Sequence, residues 1–155
     1  MLMSIEIERK FLLKGDAWRS LAKPAYMCQG YLNTDTDRTV RVRITGEVAQ
    51  LTIKGRSRGA SRAEFEYEIP IDDAKQLMQM CEQPIIEKHR SRIPAGDIVW
   101  EVDEFLGENR GLIVAEVELQ SEDQPLELPD WVGDEVTGDE RYYNSRLATN
   151  PFQSW

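Results

Sequence analysis

Residues 5–11 read IEIERKF, so that apolar and charged side chains alternate along this stretch. Successive side chains of a β-strand point to opposite faces, and this pattern therefore predicts a strand with one apolar face and one charged face. The charged face would carry Glu6, Glu8 and Lys10. Two carboxylates and one ammonium on a single face form an unusual surface, and the rest of the chain repeats the pattern.

The same alternation predicts eight strands, separated by short turns and a few helices. Their approximate bounds are 4–13, 26–33, 38–45, 48–55, 62–70, 85–93, 97–105 and 112–120. Turns at residues 46–47 and 95–97 predict two hairpins. We expect an α+β fold dominated by one antiparallel sheet, and eight strands is a number that closes into a β-barrel.

Three short helices are predicted between the strands. Asp16 would cap the first, which extends to Leu21, and Asp72 or Asp73 would cap the second. The second would turn Ala74, Leu77, Met78 and Cys81 to one face. The third would begin near residues 137–139, after a loop at 121–130.

Length and composition limit the classes of function. The chain has 155 residues and a formal net charge of -9, which fits a single domain over residues 1–155. So acidic a chain is a poor partner for nucleic acid or for an anionic membrane. There is no apolar signal segment and no run near the roughly 18 residues of a membrane span. We expect a cytoplasmic protein with two reduced cysteines.

Like charges recur two residues apart on the polar faces of the strands. A half-solvated sheet with polar residues outward would explain any one strand. However, two like charges at roughly 7 Å repel by about 2 kcal/mol at an effective dielectric near 20. Each pair therefore indicates an outside partner: a divalent cation for carboxylates, and phosphate for Arg and Lys. With these faces turned inward, the barrel becomes a charged tunnel whose apolar outside needs cover, from helices or in a homodimer.

The Glu-x-Glu-x-Lys pattern at residues 6–10 resembles the signature of the CYTH superfamily, or triphosphate tunnel metalloenzymes. Further segments resemble this family in the same order: 29–32, 41–43, 51–54, 61–66, 86–90, 100–103, 116–118 and 139–144. Together they span almost the whole chain, which looks like the short bacterial inorganic triphosphatases. The resemblance implies an eight-stranded antiparallel tunnel with flanking helices.

The resemblance also implies roles for particular residues. Those gripping phosphate would be Lys10, Arg41, Arg43, Lys54, Lys88 and Arg90. Those holding Mg²⁺ or Mn²⁺ would be Glu6, Glu8, Glu64, Glu66, Glu116 and Glu118. Three points stay open. The fifth-strand pair is either Glu64 and Glu66 or Glu66 and Glu68. Tyr31 either contacts the substrate or fills the strand. Glu140 stands where similar proteins often have lysine.

We therefore expect metal-dependent hydrolysis of inorganic tripolyphosphate or a short organic triphosphate, a small-molecule substrate, with Glu6, Glu8 and Lys10 at the catalytic centre. Two other functions remain open. A CYTH-type (class IV) adenylyl cyclase would make cyclic AMP and pyrophosphate from ATP in the same tunnel. A non-catalytic polyphosphate or nucleotide sensor would be expected to lack the metal carboxylates, which are present here.

Overall fold

The computed structural model describes residues 5–155 and contains nine β-strands, two α-helices and four short 3-10 turns. The strands are β1 (Ile5–Leu13), β2 (Ala25–Asn33), β3 (Arg38–Thr45), β4 (Val48–Gly55), β5 (Ser61–Ile69), β6 (Ile86–Ala95), β7 (Ile98–Phe105), β8 (Ile113–Glu118) and β9 (Val132–Glu135). The eight predicted strands are thus confirmed, although the predicted start at residue 4 lies outside the described residues.

The first eight strands close into an antiparallel barrel. Neighbours follow the order β5-β4-β3-β2-β6-β7-β8-β1, and β1 then pairs with β5. The two predicted hairpins are confirmed, because β3 pairs with β4 and β6 pairs with β7. The strand that closes the barrel, β1, pairs with three different strands along its length. Residues 5–7 pair with β5, residues 8–11 pair with β8, and β9 pairs with the end of β1.

Strand β9 was not predicted from the sequence. It has only four residues, and Phe11 and Leu13 of β1 face its residues Glu135 and Val132 across a register shift. So short a segment holds no clear alternation of its own. It becomes a strand because β5 pairs only with residues 5–7 of β1, which leaves the same edge of β1 free farther along the strand.

The helices differ from prediction in how they begin. Helix α1 (Ile71–Met80) follows Pro70, and neither Asp72 nor Asp73 caps it, since both lie in its first turn. Acidic residues there still interact favourably with the helix dipole. The predicted face is confirmed, with Ala74, Met78 and Cys81 buried.

The first and third predicted helices are also shorter or later than expected. Asp16 precedes a 3-10 turn at Ala17–Ser20 and makes no capping hydrogen bond. A helix beginning at residues 137–139 is wrong: a 3-10 turn at Glu140–Tyr142 comes first, and α2 (Asn144–Thr149) follows. Tyr143 has an extended backbone between them, which interrupts the helical hydrogen bonding.

The apolar faces of the strands lie outside the barrel, where three clusters pack. Helix α1 covers one around Val42 and Ala49, and α2 covers another around Phe105 and Val114. The third holds Trp18, Trp100 and Trp131. No helix within residues 5–155 is long and apolar enough to cross a membrane.

Candidate active site

The inward faces of the strands meet in one charged cavity, which we call the tunnel. Ten of the thirteen residues predicted for the site line it: Glu6, Glu8, Lys10, Tyr31, Arg41, Arg43, Lys54, Lys88, Arg90 and Glu116. The period-two geometry explains this, because residues two apart on each strand share the inward face. The other three predicted residues, Glu64, Glu66 and Glu118, lie beyond the lining of this cavity.

Three carboxyl groups crowd one wall of the tunnel. Burial, followed by the charges of Glu116 and Glu6, raises the pKa of Glu8 well above its ordinary value. Burial also opposes ionisation of Glu116, but Lys10, Arg90 and Lys88 hold its pKa well below the usual range. The side chains of Glu8 and Glu116 hydrogen-bond to each other. The surroundings thus favour ionisation of Glu116 and oppose ionisation of Glu8.

Lys54 lies between Glu6 and Glu64 on the neighbouring wall. Its Nζ donates to both carboxylate oxygens of Glu6, at 2.9 and 3.1 Å, and lies 3.5 Å from an oxygen of Glu64. Burial, then the charge of Glu6, raises the pKa of Glu64 to about 7. Lys54 thus compensates only part of the negative charge on this wall.

The crowded carboxyl groups are the side chains in the tunnel that could hold a divalent cation. Within residues 5–155, no three acidic, His or Cys side chains are already arranged around a common point. The donors are nevertheless hard oxygens, and the raised pKa values of Glu8 and Glu64 are consistent with ionised forms whose charge the nearby lysines compensate only in part. Their chemistry fits Mg²⁺ or Mn²⁺, which prefer carboxylate ligands.

The fifth-strand acids differ in their contacts. Glu66 accepts hydrogen bonds from Thr52 at 2.9 Å and from Gln50 at 3.3 Å, and lies 3.5 Å from Arg41. Glu64 faces Lys54 across the β4–β5 pairing, whereas Glu68 is exposed and faces Gln50. The pair Glu64 and Glu66 therefore lies nearer the tunnel lysine. Glu118 is exposed, and its Cα pairs with that of Glu8.

Asp103 was absent from the predicted site, yet it organises the opposite wall. It is fully buried, and its carboxylate accepts from Arg90 at 2.7 and 2.8 Å and lies 2.9 Å from Lys88 Nζ. Burial nevertheless lowers the pKa of Lys88 to about 7, against the attraction of Asp103. Glu101 and Asp103 show the same two-residue spacing as the predicted pairs, which is the signal that could have identified Asp103.

The arginines of β3 lie on the same wall, and their positive charges are incompletely compensated. Burial, followed by the charges of Arg41 and Arg90, lowers the pKa of Arg43 to about 10. Its Nε donates to Gln29 at 3.0 Å. The Nε of Arg41 is buried without a hydrogen-bond partner among the described residues. Buried donors are almost always paired, so this N–H is available to a further acceptor in the tunnel.

Segment 142–144 closes one side of the tunnel. Asn144 Oδ1 accepts from Lys88 at 2.8 Å and from Gln29 at 3.1 Å, while the carbonyl of Tyr142 accepts from Lys10 at 3.2 Å. Gln29 also donates to the Tyr31 hydroxyl at 3.2 Å. Gln29 and Asn144 are neutral, so the alternation of charges along the chain does not identify them.

Comparison with known proteins agrees with this geometry. A model of the CYTH domain matches residues 4–145. An inorganic triphosphatase of Acetivibrio thermocellus is 50% identical over 154 residues, covering 99% of each chain. One of Nitrosomonas europaea is 40% identical over 149 residues, covering 92% of this chain and 96% of its own.

A solved structure of an inorganic triphosphatase superposes with a TM-score of 0.62 at 34% identity, covering 92% of this chain and 96% of the other. Sequence likeness over nearly the full length and likeness of the barrel thus coincide. The chain belongs to the CYTH family.

Proposed function

We propose that this protein hydrolyses inorganic tripolyphosphate to pyrophosphate and orthophosphate inside the tunnel. The observation that carries the proposal is the basic wall, where Arg41 Nε has no hydrogen-bond partner within residues 5–155 and burial lowers the pKa values of Arg43 and Lys88. A polyanion would supply the missing hydrogen bonds and charge. The relatives named inorganic triphosphatases support tripolyphosphate as that anion.

The basic residues would position the phosphate chain. Arg41 and Arg43 lie two apart on β3, and Lys88 and Arg90 lie two apart on β6, so the two pairs can grip successive phosphates. Lys10 and Lys54 add charge from β1 and β4. Phosphoryl transfer depends mainly on such positioning and on neutralisation of charge, since there is little covalent chemistry for the protein to do. Tyr31 lines the tunnel beside Gln29, where its hydroxyl would meet a phosphate oxygen.

The acidic residues would hold a divalent cation, Mg²⁺ or Mn²⁺, and activate water. Glu6, Glu8 and Glu116 line the tunnel, and Glu64, Glu66 and Glu118 extend the acidic wall outward. These carboxylates would hold the cation, whose chemistry is to neutralise phosphate charge and to lower the pKa of a water. We assign the fifth-strand role to Glu64 and Glu66 because they contact Lys54 and Arg41, respectively.

Glu8 is the base in this proposal. Its raised pKa makes it a stronger proton acceptor than Glu116, which is held ionised at low pH. With Glu8 ionised, which the positive charge of a bound cation would favour, the water oxygen bonds to a terminal phosphorus as Glu8 takes one proton of the water. The bridging P–O bond breaks, and the bridging oxygen leaves with pyrophosphate, its charge balanced by nearby cations such as Lys10.

A substrate panel tests the function. Purified protein is incubated with tripolyphosphate, ATP or thiamine triphosphate, each with Mg²⁺ and with Mn²⁺, while orthophosphate, pyrophosphate and cyclic AMP are measured. We expect tripolyphosphate to have the highest kcat/KM and to yield equal amounts of orthophosphate and pyrophosphate. Cyclic AMP as the main product from ATP would favour the cyclase, and tight binding without turnover would favour a sensor.

A homodimer is a further proposal, based on the outer face of the barrel. Phe65 and Tyr67 of β5 are exposed, as is Ile5 of β1, which pairs with β5. Covering this apolar face would be favourable. Light scattering at micromolar concentration tests it: a dimer mass is expected for the wild type, and a monomer for a variant with Tyr67→Lys.

A further inference from the structure

A second cavity opens outward from the tunnel, and we call it the vestibule. The two cavities share Thr39, Ser57, Arg62, Gly138, Tyr143 and Ser145, and the vestibule has a volume of about 180 Å³. A water molecule occupies roughly 30 Å³ of the liquid, so the vestibule has room for more than water. A ligand that extends beyond the tunnel on this side must therefore enter it.

Arg62 is the last basic residue free to bind a phosphate along this path. It lines both cavities, its Nε donates to the carbonyl of Gly55 at 3.1 Å, and within residues 5–155 it forms no ion pair. Farther out, Arg56 lines the vestibule but is held by Asp37 at 2.5 Å. Apart from Arg62, which it shares with the tunnel, the vestibule thus offers an extra phosphate no unpaired cation among the described residues.

Glu140 adds a negative charge at the same place. Among the described residues it is the one carboxylate that lines the vestibule, and its side chain is 58% exposed. Arg146 pairs with it at 3.2 Å but does not line the cavity, so the carboxylate is the group that faces an incoming ligand. Arg56 lies close enough to interact with Glu140, but Asp37 already compensates its charge.

We propose that Glu140 makes the enzyme selective for a chain of three phosphates by repelling a fourth in the vestibule. This inference rests on the proposed tripolyphosphatase function and assigns a specificity-determining residue to it. Three phosphates are compensated by the tunnel cations up to Arg62. A fourth phosphate would lie beyond these cations and approach the carboxylate of Glu140, whose partner Arg146 does not line the cavity. A neutral extension of similar bulk would meet no such repulsion.

The expected effect is modest because Glu140 is half-exposed. Two unit charges roughly 7 Å apart in water change a binding constant by about threefold. The isosteric change Glu140→Gln should therefore lower the inhibition constant of tetrapolyphosphate by about threefold. Glu140→Lys, which changes the charge by two units, should lower it by about tenfold.

The test measures competitive inhibition of tripolyphosphate hydrolysis by tetrapolyphosphate and by ATP, at fixed free Mg²⁺ and ionic strength. ATP serves as the neutral extension, because a nucleoside follows its third phosphate. Glu127→Gln is the matched control, since Glu127 is also exposed but lies outside both cavities. Inhibition constants are informative even where the inhibitor is not itself hydrolysed.

We expect both Glu140 variants to bind tetrapolyphosphate more tightly, in the stated order, with the inhibition constant of ATP unchanged and the Glu127 variant like wild type. Normal tripolyphosphate hydrolysis with an unchanged tetrapolyphosphate constant would overturn the inference alone. So would an equal change for ATP, which would indicate exclusion by size. Failure of the wild type to hydrolyse tripolyphosphate would overturn the proposed function together with this inference.

Discussion

Replacing Asp103 by asparagine removes one negative charge from the most buried part of the tunnel wall and leaves the shape of the side chain almost unchanged. In the native protein this carboxylate compensates Lys88 at 2.9 Å and Arg90 at 2.7 Å. Asparagine can still accept a hydrogen bond, but the two cations would lose the charge that allows them to be buried together. The variant therefore isolates an electrostatic contribution from packing.

The magnitude follows from the burial of the three groups. Removing one partner of a buried ion pair costs about 3–5 kcal/mol, because the remaining charge is left uncompensated. In a domain of this size, 1 kcal/mol lowers Tm by about 2–4 °C, so Asp103→Asn should lower it by about 6–20 °C. Part of this cost would be relieved by loss of a proton from Lys88, whose pKa is already lowered to about 7.

The assay is thermal unfolding with and without tripolyphosphate, in EDTA so that the ligand is not hydrolysed. The anion should stabilise Asp103→Asn by more degrees than the wild type, because it replaces the missing negative charge. Glu101→Gln is the matched control. Glu101 lies on the same strand and also pairs with Arg90, at 3.2 Å, but it is 25% exposed and should cost about 1 kcal/mol or less.

Two results would refute this reasoning. A Tm for Asp103→Asn within about 2 °C of the wild type would mean that the carboxylate does not compensate the two cations. Equal stabilisation of variant and wild type by tripolyphosphate would mean that the anion does not bind where Asp103 acts.

Three further predictions concern the acidic wall and the cover of the barrel. Glu8→Gln should lower kcat at least about 100-fold, because it removes the proposed base. It should not lower the free energy of unfolding, because it removes a crowded buried carboxyl. Normal turnover would exclude the role of Glu8 as the base. Between about pH 4.5 and 7 folded Glu64 retains a proton that the unfolded chain has released, so stability falls as pH rises through this window. Mg²⁺ should therefore raise Tm more at pH 8 than at pH 5, and an equal rise would contradict a cation site here. Gly30→Ala places a Cβ 2.7 Å from that of Cys81 and should cost about 1–3 kcal/mol in urea unfolding. Gly55→Ala, whose nearest neighbour is at 3.5 Å, should cost less, and equal costs would argue against this packing.

The sequence predicted the barrel well because one physical rule governs all eight strands. Period-two alternation determines both the extended conformation and the face on which each charge lies, so Glu6, Arg41 and Lys88 could be assigned to the tunnel without coordinates. The helices are different. Asp72 matched a capping residue by type, but Pro70 occupies the cap position two residues earlier, directly after the end of β5.

The rest of the site depends on tertiary contacts that no local pattern reveals. Asn144 comes from the C-terminal segment and meets Lys88 only because α2 packs across the end of the barrel. Gln29 carries no charge, so the alternation of charged and apolar residues does not identify it as a site residue. Glu64 and Glu118 share the predicted face but lie farther along it than the cavity extends, since strand tilt and stagger decide which residues on an inward face share one level.

The most direct test of the tunnel is the same substitution made inside and outside it on one strand. Arg41→Met removes an 8%-exposed cation of the tunnel wall, and Arg38→Met removes a 69%-exposed cation of β3 whose side chain pairs with Asp35. The measurement is kcat/KM for tripolyphosphate with Mg²⁺. Loss of one charged hydrogen bond to a bound phosphate should lower kcat/KM at least about tenfold in Arg41→Met. In Arg38→Met, kcat/KM should remain within about twofold of wild type. Similar values for the two variants would contradict the placement of the substrate in the tunnel.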